Sequence, residues 1–117
     1  MPESILRTKS KEFAKSIVLL CRNLRSKGIE AALLNQLLRS GTSVGANIHE
    51  AQYAQGTKDF ISKFEIALKE CNESEYWLQL LFEVDSISKE EYAKFQKECI
   101  ELRRMLVSSV KKLKEKL

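Results

Sequence analysis

The apolar residues of this chain recur every three or four positions over four long stretches, and almost nothing in the sequence interrupts them. Pro2 is the only proline, and Gly28, Gly41, Gly45 and Gly56 are the only glycines among the 117 residues. Proline and glycine most often end helices, so a chain this poor in both favours long helices. The three- and four-residue spacing places each apolar set on one helix face, as packing against a shared core requires.

Four amphipathic helices are predicted, over residues 4–26, over 29–55, after Gly56 up to a turn at 85–88, and from that turn to a fraying tail at 111–117. Their predicted core residues are Phe13, Ile17, Leu20 and Leu24; Leu34, Leu37, Gly41, Val44, Ile48 and Ala51; Phe60, Phe64, Ala67, Cys71, Ser74, Leu78 and Leu81; and Tyr92, Phe95, Cys99, Leu102, Leu106, Val110 and Leu113. Ser88 and Glu91 form a capping box for the last helix. Short links between such helices predict an all-α, up-down-up-down antiparallel four-helix bundle, one domain over residues 1–117.

Residues 40–46 form an unusual run of almost entirely small residues in the second predicted helix. Gly41 and Gly45 each cost about 1 kcal/mol relative to alanine inside a helix, so they need a compensating reason. Close approach of a neighbouring helix is one explanation, and a kink near Gly41 is another. The apolar phase is unbroken from Leu34 to Ala51, which favours one continuous helix.

Charge is distributed unevenly along the chain, although the net charge is only +4. Residues 1–28 hold seven Lys or Arg and two Asp or Glu, whereas residues 57–85 hold three and seven. Residues 86–117 hold nine and five. Because the first and fourth helices of an up-down bundle are neighbours, their cations are expected to form one basic side. The candidate nucleic-acid-binding residues are Arg7, Lys11, Lys15, Arg22, Arg25, Lys94, Lys97, Arg104, Lys111 and Lys112.

This basic side has three interpretations. It can be a solvated lysine-rich surface, or a surface that binds nucleic-acid phosphates and releases their counterions. No aromatic residues are interleaved with the cations, so base stacking is not expected there. In the third interpretation the basic side meets the acidic side of another copy head to tail, which makes a ring if the rotation closes.

The sequence offers no recognisable catalytic or metal-binding arrangement, and no cofactor is expected. His49 is the only histidine, and the cysteines at 21, 71 and 99 are too scattered for a zinc site. The residue three before His49 is Ala46, so the Glu-x-x-His motif of di-iron bundles is absent. Glu70, Glu73 and Glu75 are interpreted as a solvated acidic face rather than acid-base carboxylates. The protein is therefore predicted not to be an enzyme.

No membrane association is expected, since no apolar run is long enough to cross a bilayer. The first residues have no signal-peptide pattern, which predicts a cytoplasmic protein. Tyr53, Tyr76 and Trp77 fall off the centres of the apolar stripes. They are interpreted either as packing at the edge of the bundle or as anchors in a subunit interface, where such residues are favoured.

Residues 37–51, with the sequence LLRSGTSVGANIHEA, resemble the signature of the 23S rRNA intervening-sequence protein family. Residues 58–70, KDFISKFEIALKE, and residues 76–78, YWL, extend the resemblance over the second and third helices. The first and fourth helices are similar by pattern only. His49 departs from the small or acidic residue expected at its position.

The resemblance implies a bacterial four-helix bundle that forms homopentamers and whose molecular role is not established. A similar basic pentameric bundle assists reverse transcriptases of diversity-generating retroelements and binds nucleic acid. Two functions are therefore expected: a homo-oligomer that binds RNA or DNA weakly through helices one and four, or a protein assembly or adaptor module. The resemblance also makes Gly41, Gly45, Asn47 and Glu50 candidates for helix or subunit contacts, in addition to Tyr53, Tyr76 and Trp77 named above.

Overall fold

Four helices account for nearly all of the computed structural model, which describes the backbone of residues 2–117 and the side chains of residues 4–117. They are α1 (Pro2–Ser26), α2 (Ala31–Ala51), α3 (Thr57–Glu83) and α4 (Lys89–Lys114). No strand occurs among the described residues. The bundle measures 48 × 22 × 19 Å, as expected for long helices packed side by side.

Each helix packs against the next along the chain, and α4 closes the bundle against α1. The links are too short for a parallel return, so consecutive helices are antiparallel. The predicted up-down-up-down bundle is therefore confirmed. The α1–α4 pair is packed less extensively than the other three adjacent pairs.

Most helix ends follow the local sequence. Gly28 has a φ of 81°, and the amides of Gly28 and Ile29 donate to Arg25 and Leu24, which is the Schellman arrangement. The Ser88 hydroxyl accepts from the Glu91 amide at 3.0 Å, which confirms a cap at the start of α4. Three boundaries differ from prediction. α2 begins at Ala31 rather than at residue 29. α1 begins at Pro2, since proline fits the first turn of a helix, and α2 ends at residue 51 because residues 52–54 form tighter turns.

The core contains the predicted stripes. Phe60, Tyr92 and Leu113 are only partly buried and pack at its margin. The apolar side chains buried in addition to the predicted residues are Leu6, Cys21, Ile61 and Ile87. The three cysteine thiols are buried and free.

Two hydroxyls meet inside the contact between α2 and α3. Ser40 and Ser74 are fully buried, and their Oγ atoms lie 3.0 Å apart. Each hydroxyl also contacts a carbonyl oxygen of its own helix, Leu37 for Ser40 and Glu70 for Ser74. This pair places polar groups in the core without leaving either of them unsatisfied.

The small-residue run of α2 lies against α1. A Cβ atom added at Gly41 would lie 2.8 Å from Cγ2 of Ile17, and one at Gly45 would lie 3.3 Å from the backbone oxygen of Ser10. α2 is one continuous helix across both glycines. Close approach of α1, rather than a kink, therefore explains why glycine occupies these two positions.

Candidate nucleic-acid interface

The basic residues of α1 lie on its outer side, opposite Phe13 and Ile17. Lys11, Lys15, Arg22 and Arg25 are exposed and Arg7 is half-buried. The Arg25 guanidinium donates to Asn35 of α2 at 2.9 Å, and the Arg7 guanidinium donates to Ser4 at 3.0 Å. Among the side chains of residues 4–117, only Lys15 in this set has a carboxylate partner, Glu12 at 3.2 Å.

The basic residues of α4 are all exposed. They are Lys94, Lys97, Arg104, Lys111 and Lys112. None of them forms an ion pair with a described carboxylate, and the Lys94 ammonium lies 5.9 Å from the centre of the Phe95 ring. Arg104 and Lys112 line one shallow groove of α4, whereas Lys111 lines a cavity shared with α3.

Carboxylates lie between these two basic rows. A 230 Å³ cavity between α1 and α4 is lined by Lys9 and Glu12 on one side and by Glu98 and Glu101 on the other. Lys9 spans the two helices and pairs with Glu101 at 3.3 Å. Arg7 and Lys11 instead line a groove facing α2. The structure thus arranges the predicted cations as two rows, separated near Lys9 by an acidic seam, rather than as the single basic side that the sequence predicts.

Glu98 is the carboxylate of this seam that lacks, within the described side chains, a hydrogen-bond partner for one oxygen. Its Oε2 atom is buried and has no hydrogen-bond partner among the described residues. Burial raises the pKa of the Glu98 carboxyl, Glu101 raises it further, and Lys94 and Lys9 offset part of the increase. A group with a raised pKa binds protons more tightly in the folded state, so stability falls as pH rises through that pKa.

Replacing Glu98 with glutamine is expected to raise the free energy of unfolding by about 1 kcal/mol at neutral pH, since it removes a partly buried negative charge that lies near Glu101 and that Lys94 and Lys9 only partly offset. The gain should vanish in acid, where Glu98 is itself protonated. Urea titrations of both proteins at neutral and acidic pH measure the difference. Glu90→Gln, on the exposed surface of the same helix, is the control. An equal gain at both pH values would contradict the assignment.

The carboxylates of α3 are not the solvated acidic face that the sequence suggests. Glu70 is only 7% exposed and accepts from Arg39 of α2 at 2.9 Å. Glu75 pairs with Arg103 of α4 at 2.8 Å, and Glu65 pairs with Lys114 at 3.0 Å. The interpretation as a solvated face was wrong because partners on the adjacent helices are not visible from one helix alone.

Glu73 is held from two sides. Arg39 donates to it, and the Trp77 indole donates to it at 3.0 Å. The Trp77 hydrogen bond and then the Arg39 contact hold the pKa of the Glu73 carboxyl below its usual value. This cluster ties α2 to α3, and it neutralises acidic charge that could otherwise attract a basic surface.

The residues predicted to make helix or subunit contacts divide into internal and exposed groups. Gly41 and Gly45 contact α1, as described above. Asn47 donates to the Ser43 carbonyl at 2.8 Å, and Glu50 pairs with Lys63 of α3 at 3.3 Å. Trp77 is half-buried beside the core. Tyr53 and Tyr76 remain exposed.

A groove of 370 Å³ separates the outer edges of α1 and α2. Its floor consists of small side chains, and its rims carry charged and polar groups. The lining residues are Arg7, Ser10, Lys11, Ala14, Thr42, Gly45, Ala46, His49 and Glu50. The ring centres of His49 and Tyr53 lie 5.7 Å apart beside this groove. Sequence reasoning missed this neighbourhood because the cations and the rings belong to different helices.

No described helix is long and apolar enough to cross a membrane. Within residues 4–117, no three His, Cys, Asp or Glu side chains come together in a way that could hold a metal ion.

Comparisons with known proteins agree with the signature in α2 and α3. A family model described as 23S rRNA-intervening sequence protein matches residues 3–108. A solved structure from Bacteroides thetaiotaomicron, a protein of unknown function from the S23 ribosomal protein family, is 45% identical with a TM-score of 0.92. The alignment covers 95% of this chain and 99% of that chain. No curated protein matches.

Proposed function

Since the chain belongs to the family of 23S rRNA-intervening sequence proteins, we propose that it is a non-enzymatic homo-oligomer that binds RNA or DNA weakly. The binding surface consists of the outward cations of α1 and α4 described above. Five copies is the expected number of subunits, from the resemblance.

The unpaired state of these cations is the observation that carries the proposal. Lys11, Arg22, Lys97, Arg104 and Lys112 are exposed and have no carboxylate partner within the described side chains. The carboxylates of α3, by contrast, are largely paired with cations of α2 and α4. Free cations attract phosphates, and the released counterions supply the binding free energy. The same pairing weakens the head-to-tail charge interpretation, because little free acidic charge remains on α3.

Reversing two cations of α1, Lys11→Glu with Arg22→Glu, is expected to weaken binding about tenfold near physiological salt, since phosphate contacts dominate affinity. The slope of log affinity against log salt is negative, and each lost phosphate contact should reduce its magnitude by about 1. Fluorescence anisotropy with labelled RNA and DNA oligonucleotides at several salt concentrations measures both quantities.

A matched control carries Lys58→Glu with Lys69→Glu. Both are exposed lysines of α3, and the change in net charge is the same. This control should bind like the parent apart from a small uniform loss. Equal weakening by both double variants, or binding that ignores salt, would refute a surface on α1.

Light scattering of the purified protein tests the oligomer, and a monomer at micromolar concentration would remove that part of the proposal.

Tyr76 favours a second function, that of a protein assembly or adaptor module. It is 57% exposed on α3 and lies edge-on to Trp77 at 5.0 Å, and such rings often anchor interfaces. A defined protein that co-purifies after nuclease treatment, and that Tyr76→Ala releases, would support this function over nucleic-acid binding.

A further inference from the structure

We propose that the groove between α1 and α2 binds an unpaired nucleotide of single-stranded nucleic acid, with its phosphate on Arg7 and Lys11 and its base against the Tyr53 ring. This inference rests on the proposed function and names the form of its ligand. The groove brings cations, a floor of small residues and exposed rings together in one place.

The charge of the groove favours an anion. Arg7 and Lys11 line one rim and have no carboxylate partner among the side chains of residues 4–117. Glu50 is the only acidic residue of the lining, and its carboxylate pairs with Lys63 at 3.3 Å. The groove is therefore positive. A phosphate bound there would lie near two cations that have no described carboxylate partner, and near no unpaired carboxylate.

The floor permits close approach. Gly45 has no side chain, and Ala14 and Ala46 project only methyl groups, so a ligand can reach the level of the helix surfaces. The groove has a volume of 370 Å³, which is within the usual range for sites that hold small ligands. A sugar and its phosphate fit such a space more readily than a folded partner's surface does.

The rings give the site its selectivity. Tyr53 is 74% exposed and lies four residues after His49, just past the end of α2. His49 itself lines the groove. Aromatic side chains bind single strands by stacking on bases, and every base has a face available for this. Paired bases in a duplex already stack on each other, so only an unpaired base can lie on Tyr53. Beyond the groove, the strand follows the α1 cations toward Arg25.

The test compares Tyr53→Ala with Ile66→Ala, which truncates an exposed apolar residue of α3 outside the groove. Anisotropy is measured with a labelled thymidine oligonucleotide, the matching uridine oligonucleotide, an abasic version of the thymidine strand, and a duplex of the same length. Tyr53→Ala should weaken single-strand binding about fivefold, near the lower end of measured stacking effects, whereas Ile66→Ala and Tyr53→Phe should bind like the parent. The abasic strand should bind Tyr53→Ala and the parent equally.

Four results would overturn the inference: Tyr53→Ala binding as tightly as the parent, equal losses for the two alanine variants, a duplex preferred to the single strands, or a changed solution mass for Tyr53→Ala. The last result would assign Tyr53 to a subunit contact. If the Lys11 and Arg22 reversal still weakens binding in these cases, the proposed function survives and only the groove assignment fails. If the parent binds none of the oligonucleotides at low salt, the proposed function fails as well.

Discussion

Gly41→Val should lower the free energy of unfolding by about 3 kcal/mol, because overpacking a close-packed core costs this much and a β-branched residue adds little to helix stability. The structural cause is the contact with α1. A Cβ at position 41 would lie 2.8 Å and 2.9 Å from the two γ carbons of Ile17, which is fully buried and cannot move outward. Urea denaturation followed by far-UV circular dichroism, at fixed protein concentration because an oligomer unfolds with mass action, measures the loss.

A double substitution separates steric conflict from a requirement for glycine itself. In an Ile17→Ala background the γ carbons are gone and only the Cβ of residue 17, 3.2 Å from the added atom, remains close, so Gly41→Ala should cost much less than it does in the parent. Gly45→Ala, whose added Cβ would lie 3.3 Å from Ser10, should cost less than Gly41→Val. If Gly41→Val is as stable as the parent, the close approach of α1 and α2 at this position is wrong.

Arg39→Met should lower the free energy of unfolding measurably, though by less than breaking a fully buried pair would, because Arg39 is itself half exposed. The loss arises from the carboxylates that remain. Glu70 is 7% exposed and loses its 2.9 Å partner, and Glu73 keeps only the Trp77 hydrogen bond. Arg104→Met, an exposed arginine of α4 without an ion pair, should change stability by less than about 0.5 kcal/mol.

A double-mutant cycle and a pH series complete this test. Adding Glu70→Met to Arg39→Met should recover much of the loss, since apolar groups can replace a buried ion pair without penalty. Because the pKa of Glu73 is depressed in the folded state, its contribution to stability is present above the usual carboxyl pKa and is lost as the pH falls. The gap between Arg39→Met and the parent should therefore narrow in acid. A gap that widens in acid, or no recovery in the double variant, would contradict the described cluster.

The fold could be predicted from the sequence because each apolar stripe has a single period. The stripes include Phe13 and Ile17 of α1, Phe64 of α3 and Leu106 of α4. All four are buried as expected. Few prolines or glycines interrupt these stripes, so the number and order of the helices could be predicted from the sequence. The polar residue Glu70 could not be placed, because its burial depends on Arg39 reaching across from another helix.

The candidate site was only partly predictable for the same reason. Helical spacing alone put Arg7 and Lys11 on the outer side of α1, which the structure agrees with. It could not give how closely α1 approaches α2, which Gly41 and Gly45 permit, or which side chains of the other helices lie beside the α1 cations. In the structure Arg7 and Lys11 lie beside His49 of α2, and Glu12, Glu98 and Glu101 lie along the α1–α4 seam.

The Ser40–Ser74 hydroxyl pair has a consequence for which alignment of the bundle is adopted. A chain whose helices bury leucine, isoleucine and valine at regular intervals has several alignments of similar packing energy, each displaced by one helical turn. Such a displacement would separate the two hydroxyls, and each would keep only the hydrogen bond to its own helix. Every displaced alignment would therefore lose one buried hydrogen bond, worth about 1 kcal/mol. The two serines thus favour a single axial position of α3 against α2 over alignments of similar apolar packing.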